Sequence, residues 1–268
     1  MRIVMWIGDE PNQKALACKI NKEFSIDAIV LEKRISKKKF NVKTIFSKLL
    51  SKFIFFLPNR TWLGLMKNYE AEFNSYPNCK QLTVSNINDK RTFNFTQKRN
   101  PDLILVSGTS LIKEDLLQIN PKIGLLNLHT GISPYIKGGP NCTNWCIATK
   151  QFNMIGNTIM WIDKGIDTGG ILTTEYTKFS KIDNSLLKIH TRVMNHAHDL
   201  YIRSIRSILK NKIQNIPQKN IGEGTTYYSK QWGWYQNYLV MRNTKNMVEF
   251  IKHNNLTNDK IKLISLPQ

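Results

Sequence analysis

The sequence predicts an α/β fold: a mostly parallel, Rossmann-type sheet with helices on both faces, followed by a small C-terminal strand and helix appendage. Three observations carry this. Short apolar runs such as Arg2–Ile7, Ser25–Leu31, Pro101–Ser107 and Lys122–Leu128 lack alternation and read as strands buried on both faces. Segments of helical period lie between them, the order that crossover connections give a parallel sheet. The 268 residues are 41% hydrophobic and 22% charged, ordinary for one full globular domain with a smaller unit attached.

Taken in order, Arg2–Ile7 enters a turn at Gly8, and Asp9–Phe24 carries Leu16, Ile20 and Phe24 along one helical face. After the strand Ser25–Leu31, residues 42–73 read as helix broken near Pro58. Gln81–Val84 is a third strand and Arg91–Lys98 a helix. Pro101–Ser107 and Lys122–Leu128 are strong strands on either side of a short helix, Ile112–Ile119. Gly156–Asp163 alternates and reads as a further strand. Ser185–Lys210 is a long helix with Leu186, Ile189, Val193, Ala197, Leu200, Ile205 and Leu209 on its apolar side. The polar stretch Asn211–Gly222 sets a boundary, giving a main domain over 1–210 and a small subdomain over 211–268. Residues 223–242 are aromatic and strand-prone, and 245–254 read as a last short helix.

The charge is the unusual quantity: 39 basic and 19 acidic residues leave +20. An anionic partner and an AT-rich codon bias toward Lys, Asn and Ile both explain it; a nucleotide-bearing substrate needs only a few of these cations. No run reaches the ~20 apolar residues of a membrane span. The nearest stretch, Ile45–Leu57, is interrupted by Lys48 and Lys52 and reads as a core-packed helix with a solvated lysine face, or as a helix lying on an anionic membrane. The start is polar by residue 9, unlike a signal peptide. Cys18, Cys79, Cys142 and Cys146 do not make a disulfide framework and read as reduced thiols of a cytoplasmic protein.

A Rossmann-type sheet does not specify chemistry. A dinucleotide site would need G-x-G-x-x-G after the first strand, and that position reads Gly8-Asp9-Glu10-Pro11-Asn12-Gln13. Neither a Walker sequence nor a G-x-S-x-G elbow occurs, and Cys142 has no evident basic partner. The informative stretch is 127–172. Asn127 and His129 share one side of a strand end, where open α/β sheets place their sites. A loop with Pro134, Gly138 and Gly139 follows. Asp167 comes 38 residues after His129, in the glycine-rich run Asp163-Lys164-Gly165-Ile166-Asp167-Thr168-Gly169-Gly170. An amide that donates to an oxyanion, an imidazole that takes a proton and a carboxylate that orients the imidazole make a unit for acyl transfer, with no enzyme nucleophile if the substrate brings an amine. His190, His196 and His198 read as surface or packing residues rather than metal ligands, and no metal is expected.

Asn127-Leu128-His129, Pro134, Gly138 and the run Asp167-Thr168-Gly169-Gly170-Ile171-Leu172 resemble the formyltransferase family that uses 10-formyltetrahydrofolate. The family pattern is N-x-H-x-S-L-L-P-x-x-x-G followed by D-x-G-x-D-x-G-x-I. The likeness covers about residues 1–205 in outline and is dense over 100–175. Gly131 stands where the family has Ser, and Ile132-Ser133 where it has Leu-Leu. The resemblance implies that Asn127 and His129 polarise the formyl group, that His129 or Asp167 removes the amine proton, and that Asp167 orients His129. It also implies that the pterin lies against Gly108, Thr109, Leu111 and Ile112 on one side and Asp163 and Gly165 on the other.

The acceptor amine is read from the next helix and the tail. The helix around Asn141-Cys142-Thr143-Asn144-Trp145 is similar to that of enzymes acting on nucleotide-linked amino sugars. Methionyl-tRNA formyltransferases carry a C-terminal barrel for which 212–268 look too short. The resemblance therefore implies a nucleotide-linked amino-deoxysugar as acceptor, for O-antigen or other surface polysaccharide, with no nucleic acid as partner. Lys137 and Asn141 are expected beside it. Trp232, Trp234 and Tyr235 suit a homodimer interface, a base-stacking surface or a satellite core. A tRNA formyltransferase, and a basic binding protein on the same fold without activity, are the alternatives.

Overall fold

The computed structural model describes residues 1–34, 56–164, 168–253 and 261–267. Along the chain the strands are β1 (Ile3–Gly8), β2 (Ile26–Glu32), β3 (Lys80–Val84), β4 (Leu103–Ser107), β5 (Gly124–His129), β6 (Ile136–Gly138), β7 (Gly156–Trp161), β8 (Ile171–Tyr176) and β9 (Thr225–Tyr227). The helices are α1 (Pro11–Asn21), α2 (Leu57–Glu72), α3 (Lys90–Gln97), α4 (Glu114–Leu117), α5 (Cys142–Ala148), α6 (Leu186–Leu209) and α7 (Trp234–Lys252). Seven strands make one sheet in the order β3-β2-β1-β4-β5-β7-β8. The first five run parallel, and β7 and β8 add an antiparallel edge. β6 and β9 form a separate two-stranded parallel ladder.

Alternation along β1 explains the two layers. Ile3, Met5 and Ile7 pack with Leu16 and Ile20 of α1 and with Ala197, Leu200 and Tyr201 of α6. Val4 and Trp6 enter the opposite core, with Val30, Ile104, Val106, Ile112 and Leu116. A parallel sheet covered on both faces follows. The long α6 begins at Ser185, whose side chain accepts from the Lys188 N–H. Its fully buried Tyr201 reaches between β4 and β5: the hydroxyl accepts from Val106 N at 3.0 Å and donates to the Leu126 carbonyl. That wedge sits at the last paired residues of the two strands, beside Asn127.

Three sequence readings are corrected. Residues 234–242 are helix, not strand, and they run without a break into the expected last helix as α7. The Gln236 side chain accepts from Gly233 N at the start, and Val240, Met247 and Ile251 recur at helical spacing. This period outweighs the strand propensity of the aromatics, which lie on the outer side of the helix. The short helix at 112–119 contracts to Glu114–Leu117. β8 was hidden behind the glycine-rich run and read only as part of a motif. Pro58 falls in the first turn of α2, so that helix starts at the expected break, and residues 42–55 lie outside the described residues. Most of the Ile45–Leu57 segment lies outside the described residues.

The C-terminal segment shares its core with the main body. Val240, Met247 and Ile251 pack with Cys142, Ile147, Ile189 and Val193. The Asn243 side chain donates to the carbonyls of Ile147 and Ala148 and so satisfies the end of α5.

Candidate active site

The site forms at the carboxyl ends of β1, β4 and β5. On β5, Leu126 and Leu128 join the core beneath α6, and Asn127 and His129 alternate away from it. Two clefts meet at Asn127. The smaller, about 260 Å³, is lined by the loop Gly108–Ile112, by Asn127, by Trp161–Asp163 and by Thr168–Gly169. The larger, about 830 Å³, is lined by Asn127, His129 and Thr130, by Gly138–Asn141, and by Glu10, Arg34, Asn144, Trp232 and Asn237 among others. Asn127, Gly108 and Thr109 belong to both.

His129 is buried, and its Nε2 lies 3.2 Å from the Ile136 carbonyl oxygen. A carbonyl only accepts, so this contact places a proton on Nε2. The Cys142 thiol is 3.6 Å from the same nitrogen, so Cys142 has an imidazole neighbour that the sequence did not show. Gly131 permits this packing: a Cβ there would stand 2.5 Å from His129 Nε2 and 2.7 Å from the Ile136 oxygen. The departure from the family's Ser is therefore tied to the seat of the imidazole. Thr158 of β7 pins the loop, donating to Gly131 O at 2.6 Å and accepting from Ser133 N at 3.0 Å.

The smaller cleft is held by residues that sequence reasoning missed. Glu32, at the end of β2, has a fully buried side chain. One carboxylate oxygen accepts from Ile87 N at 2.8 Å; the other accepts from Ser110 N at 2.6 Å and from Arg34 Nε at 3.1 Å. Burial alone would raise its pKa, but these donors outweigh it and hold the carboxyl below its ordinary value. Arg34 also donates to Gly108 O at 2.9 Å. Asn88 donates to Leu111 O and accepts from Lys113 N. Gly108 turns with φ of +67°, a conformation glycine adopts at little cost. An acidic residue closing the second strand was the available signal for Glu32.

The remaining expected positions divide. Gly108, Thr109, Leu111, Ile112 and Asp163 line the smaller cleft together. Asp163 accepts from the Thr168 hydroxyl at 2.5 Å, closing its loop. Gly165 and Asp167 lie outside the described residues. Asn141 lines the larger cleft, where its side chain caps α5 by accepting from Asn144 N. Lys137 lies in β6 and lines neither cleft. Trp232 lines the larger cleft and packs edge-on against Trp145, which also stacks on Tyr227. Trp234, Tyr235 and Tyr238 are exposed. Of the charged side chains along the larger cleft, only Arg34 is a fixed cation and Glu10 an anion, so among the described residues the +20 is not concentrated there. Burial raises the Glu10 pKa, partly offset by a hydrogen bond with Trp62. Among the described residues, no group of three His, Cys, Asp or Glu side chains is placed to hold a metal.

The smaller cleft fits a flat heterocycle. Its apolar members Val106, Met160 and Ile162 suit a ring face. The larger cleft fits a longer polar ligand. Two openings that share one amide allow a group to pass between two molecules bound at once.

A family model described as formyl transferase matches residues 61–205. The methionyl-tRNA formyltransferase of Clostridium tetani is 30% identical over 155 residues, covering 57% of this chain and 48% of that protein. The Clostridium perfringens methionyl-tRNA formyltransferase is 32% identical over 142 residues, covering 52% and 44%. The chain thus spans about half the length of these curated relatives. Among solved structures, a sugar N-formyltransferase from a Shewanella species superposes with a TM-score of 0.56 at 14% identity, covering 91% of this chain and 88% of that one. The formyltransferase PseJ from Anoxybacillus kamchatkensis, solved with UDP-4,6-dideoxy-4-formamido-L-AltNAc and tetrahydrofolate, gives 0.52 at 17% identity, covering 93% and 97%. At these identities the structures establish a common fold.

Proposed function

The chain belongs to the formyl transferase family, and from that premise we propose that it moves a formyl group from 10-formyltetrahydrofolate to the amine of a nucleotide-linked amino sugar. One observation carries the reading: Asn127 lines both clefts, with His129, two residues further along β5, lining the larger one. The formyl donor is assigned to the smaller cleft and the amine to the larger.

The 10-formyl donor supplies an acyl carbon already bonded to a nitrogen leaving group. The amine lone pair forms the new C–N bond, the bond to the donor nitrogen breaks, and the proton lost by the amine ends on that nitrogen. The Asn127 amide donates to the formyl oxygen as negative charge builds there, a contribution of about 3–4 kcal/mol for a well-placed donor. His129, with its Nε2 against Ile136 O, is assigned the role of the base that accepts the amine proton. Asp167 enters from the sequence pattern as the carboxylate that orients the imidazole. The Glu32 and Asn88 contacts keep the loop Gly108–Ile112 in place against the donor ring.

The acceptor class is supported by the size of the larger cleft and by the likeness to PseJ, which was solved with a UDP-linked sugar. The matching relatives named methionyl-tRNA formyltransferase favour a second reading, with Met-tRNA as acceptor. Incubation with 10-formyltetrahydrofolate and a panel of dTDP-, UDP- and GDP-linked amino sugars, beside Met-tRNA, separates the two. A sugar product heavier by one formyl group is expected; transfer to Met-tRNA alone would falsify the sugar assignment.

A further inference from the structure

Two asparagines on the wall of the larger cleft have their carbonyl oxygens already engaged. Asn237, in the first turn of α7, accepts from the Trp232 indole N–H at 3.2 Å. An indole can only donate, so the amide orientation is fixed: oxygen toward Trp232 and the NH2 group elsewhere. Asn144, in α5, has its Oδ1 2.8 Å from His190 Nε2. His190 is buried in α6, and burial pushes its pKa down to about 4, so the ring is neutral near pH 7 and carries a single N–H. With that hydrogen on Nε2, Asn144 also turns its oxygen inward and keeps its NH2 group for the cleft.

We propose that Asn144 and Asn237 form a pair of oriented hydrogen-bond donors that recognises hydrogen-free oxygens of the amine-bearing substrate, either phosphate oxygens or the keto oxygens of a pyrimidine. The proposal rests on the nucleotide-sugar reading and deepens it. His190 and Trp232 act as positioning residues, each holding one amide from behind. The arrangement discriminates against a ligand that offers hydroxyl or amino hydrogens at these points, because two donors would then face each other with neither satisfied. It also gives the C-terminal helix a direct part in substrate selection, since Asn237 comes from α7.

The test is equilibrium binding of inorganic pyrophosphate, uridine and UDP to the full chain, by titration calorimetry, with 5-formyltetrahydrofolate as a control ligand for the smaller cleft. Asn144→Asp and Asn237→Asp keep the shape and replace a donor by an acceptor. Each is expected to weaken UDP binding about ten- to a hundredfold, the range for a hydrogen bond to a charged or keto oxygen in a desolvated site, and to leave the folate analogue unaffected. A parallel loss for pyrophosphate assigns the donors to phosphate; a loss for uridine assigns them to the base. His190→Leu should weaken UDP binding several-fold and His190→Gln restore it, because the Gln Nε2 hydrogens can replace the ring N–H; a purely structural role would be met by neither pattern. UDP binding that is unchanged in both Asp variants overturns the donor pair and leaves the formyl-transfer reading standing. Formyl transfer to Met-tRNA by a chain that binds none of the three probes overturns the donor pair and the nucleotide-sugar reading together.

Discussion

The proposed reaction gives Asn127 and His129 separable tasks, and single substitutions should show it. Asn127→Ala and His129→Ala should each lower turnover by about two or more orders of magnitude, with the unfolding midpoint little changed, because both side chains face a cleft. Steady-state rates and thermal melts on the same preparations check this; near-normal turnover in His129→Ala would remove the base assignment. Gly131→Ser makes a subtler prediction. The family's Ser is a poor fit here, since its Cβ would meet His129 Nε2 and the Ile136 carbonyl. The substitution should displace the imidazole and lower kcat more than it raises KM for either substrate, at a stability cost of about 1–3 kcal/mol from overpacking. The sequence pattern flagged Gly131 as a departure, but only the packing of His129 against it gives the departure a meaning.

Among the elements, α6 does most to hold the site. Tyr201→Phe would leave the Val106 N–H and Leu126 carbonyl without their buried partner, at a cost of about 1–3 kcal/mol, and should loosen the strand ends that carry Asn127. Urea unfolding and turnover measured together test both halves. The same helix makes stability depend on pH. Burial lowers His190 to about 4 and His198 to about 3, whereas the unfolded chain takes up protons near 6.5. Below pH 6.5 the unfolded state therefore binds more protons than the folded one, so stability is full above 6.5 and falls as pH drops toward 4. Burial would raise Glu175, but Arg203 and His196 hold it down to about 2 and so add a further loss below about 4.5. His198 has no hydrogen-bond partner among the described residues and packs against Tyr69; His198→Phe should flatten part of the slope between pH 7 and 5 in urea midpoints. The strands, α1 and α6 were legible in the sequence because apolar runs and a 3.6-residue period are local signals. Asn127, His129 and the loop Gly108–Ile112 were legible through their motif and their places at strand ends. Glu32, Asn144 and Asn237 were not, because their roles come from partners 46 to 78 residues away or from an indole whose direction only the fold sets. α7 was misread because aromatic propensity was given more weight than the spacing of Val240, Met247 and Ile251.

At the scale of the whole molecule, the C-terminal segment is built into the body rather than hung upon it. Met247 is fully buried against the core that carries α5, so Met247→Ala should cost about 2–5 kcal/mol in denaturant unfolding of the intact chain and be felt at the larger cleft. A loss confined to the tail, with nucleotide binding intact, would show that α7 is not needed to shape that cleft. The partition at Asn127 has a consequence for traffic through the enzyme. Under the proposed transfer each ligand has a doorway of its own, so either should come and go while the other stays seated, with no one-carbon unit parked on the protein. Double-reciprocal plots for the two substrates should then intersect instead of running parallel, and no labelled formyl should travel with the denatured chain.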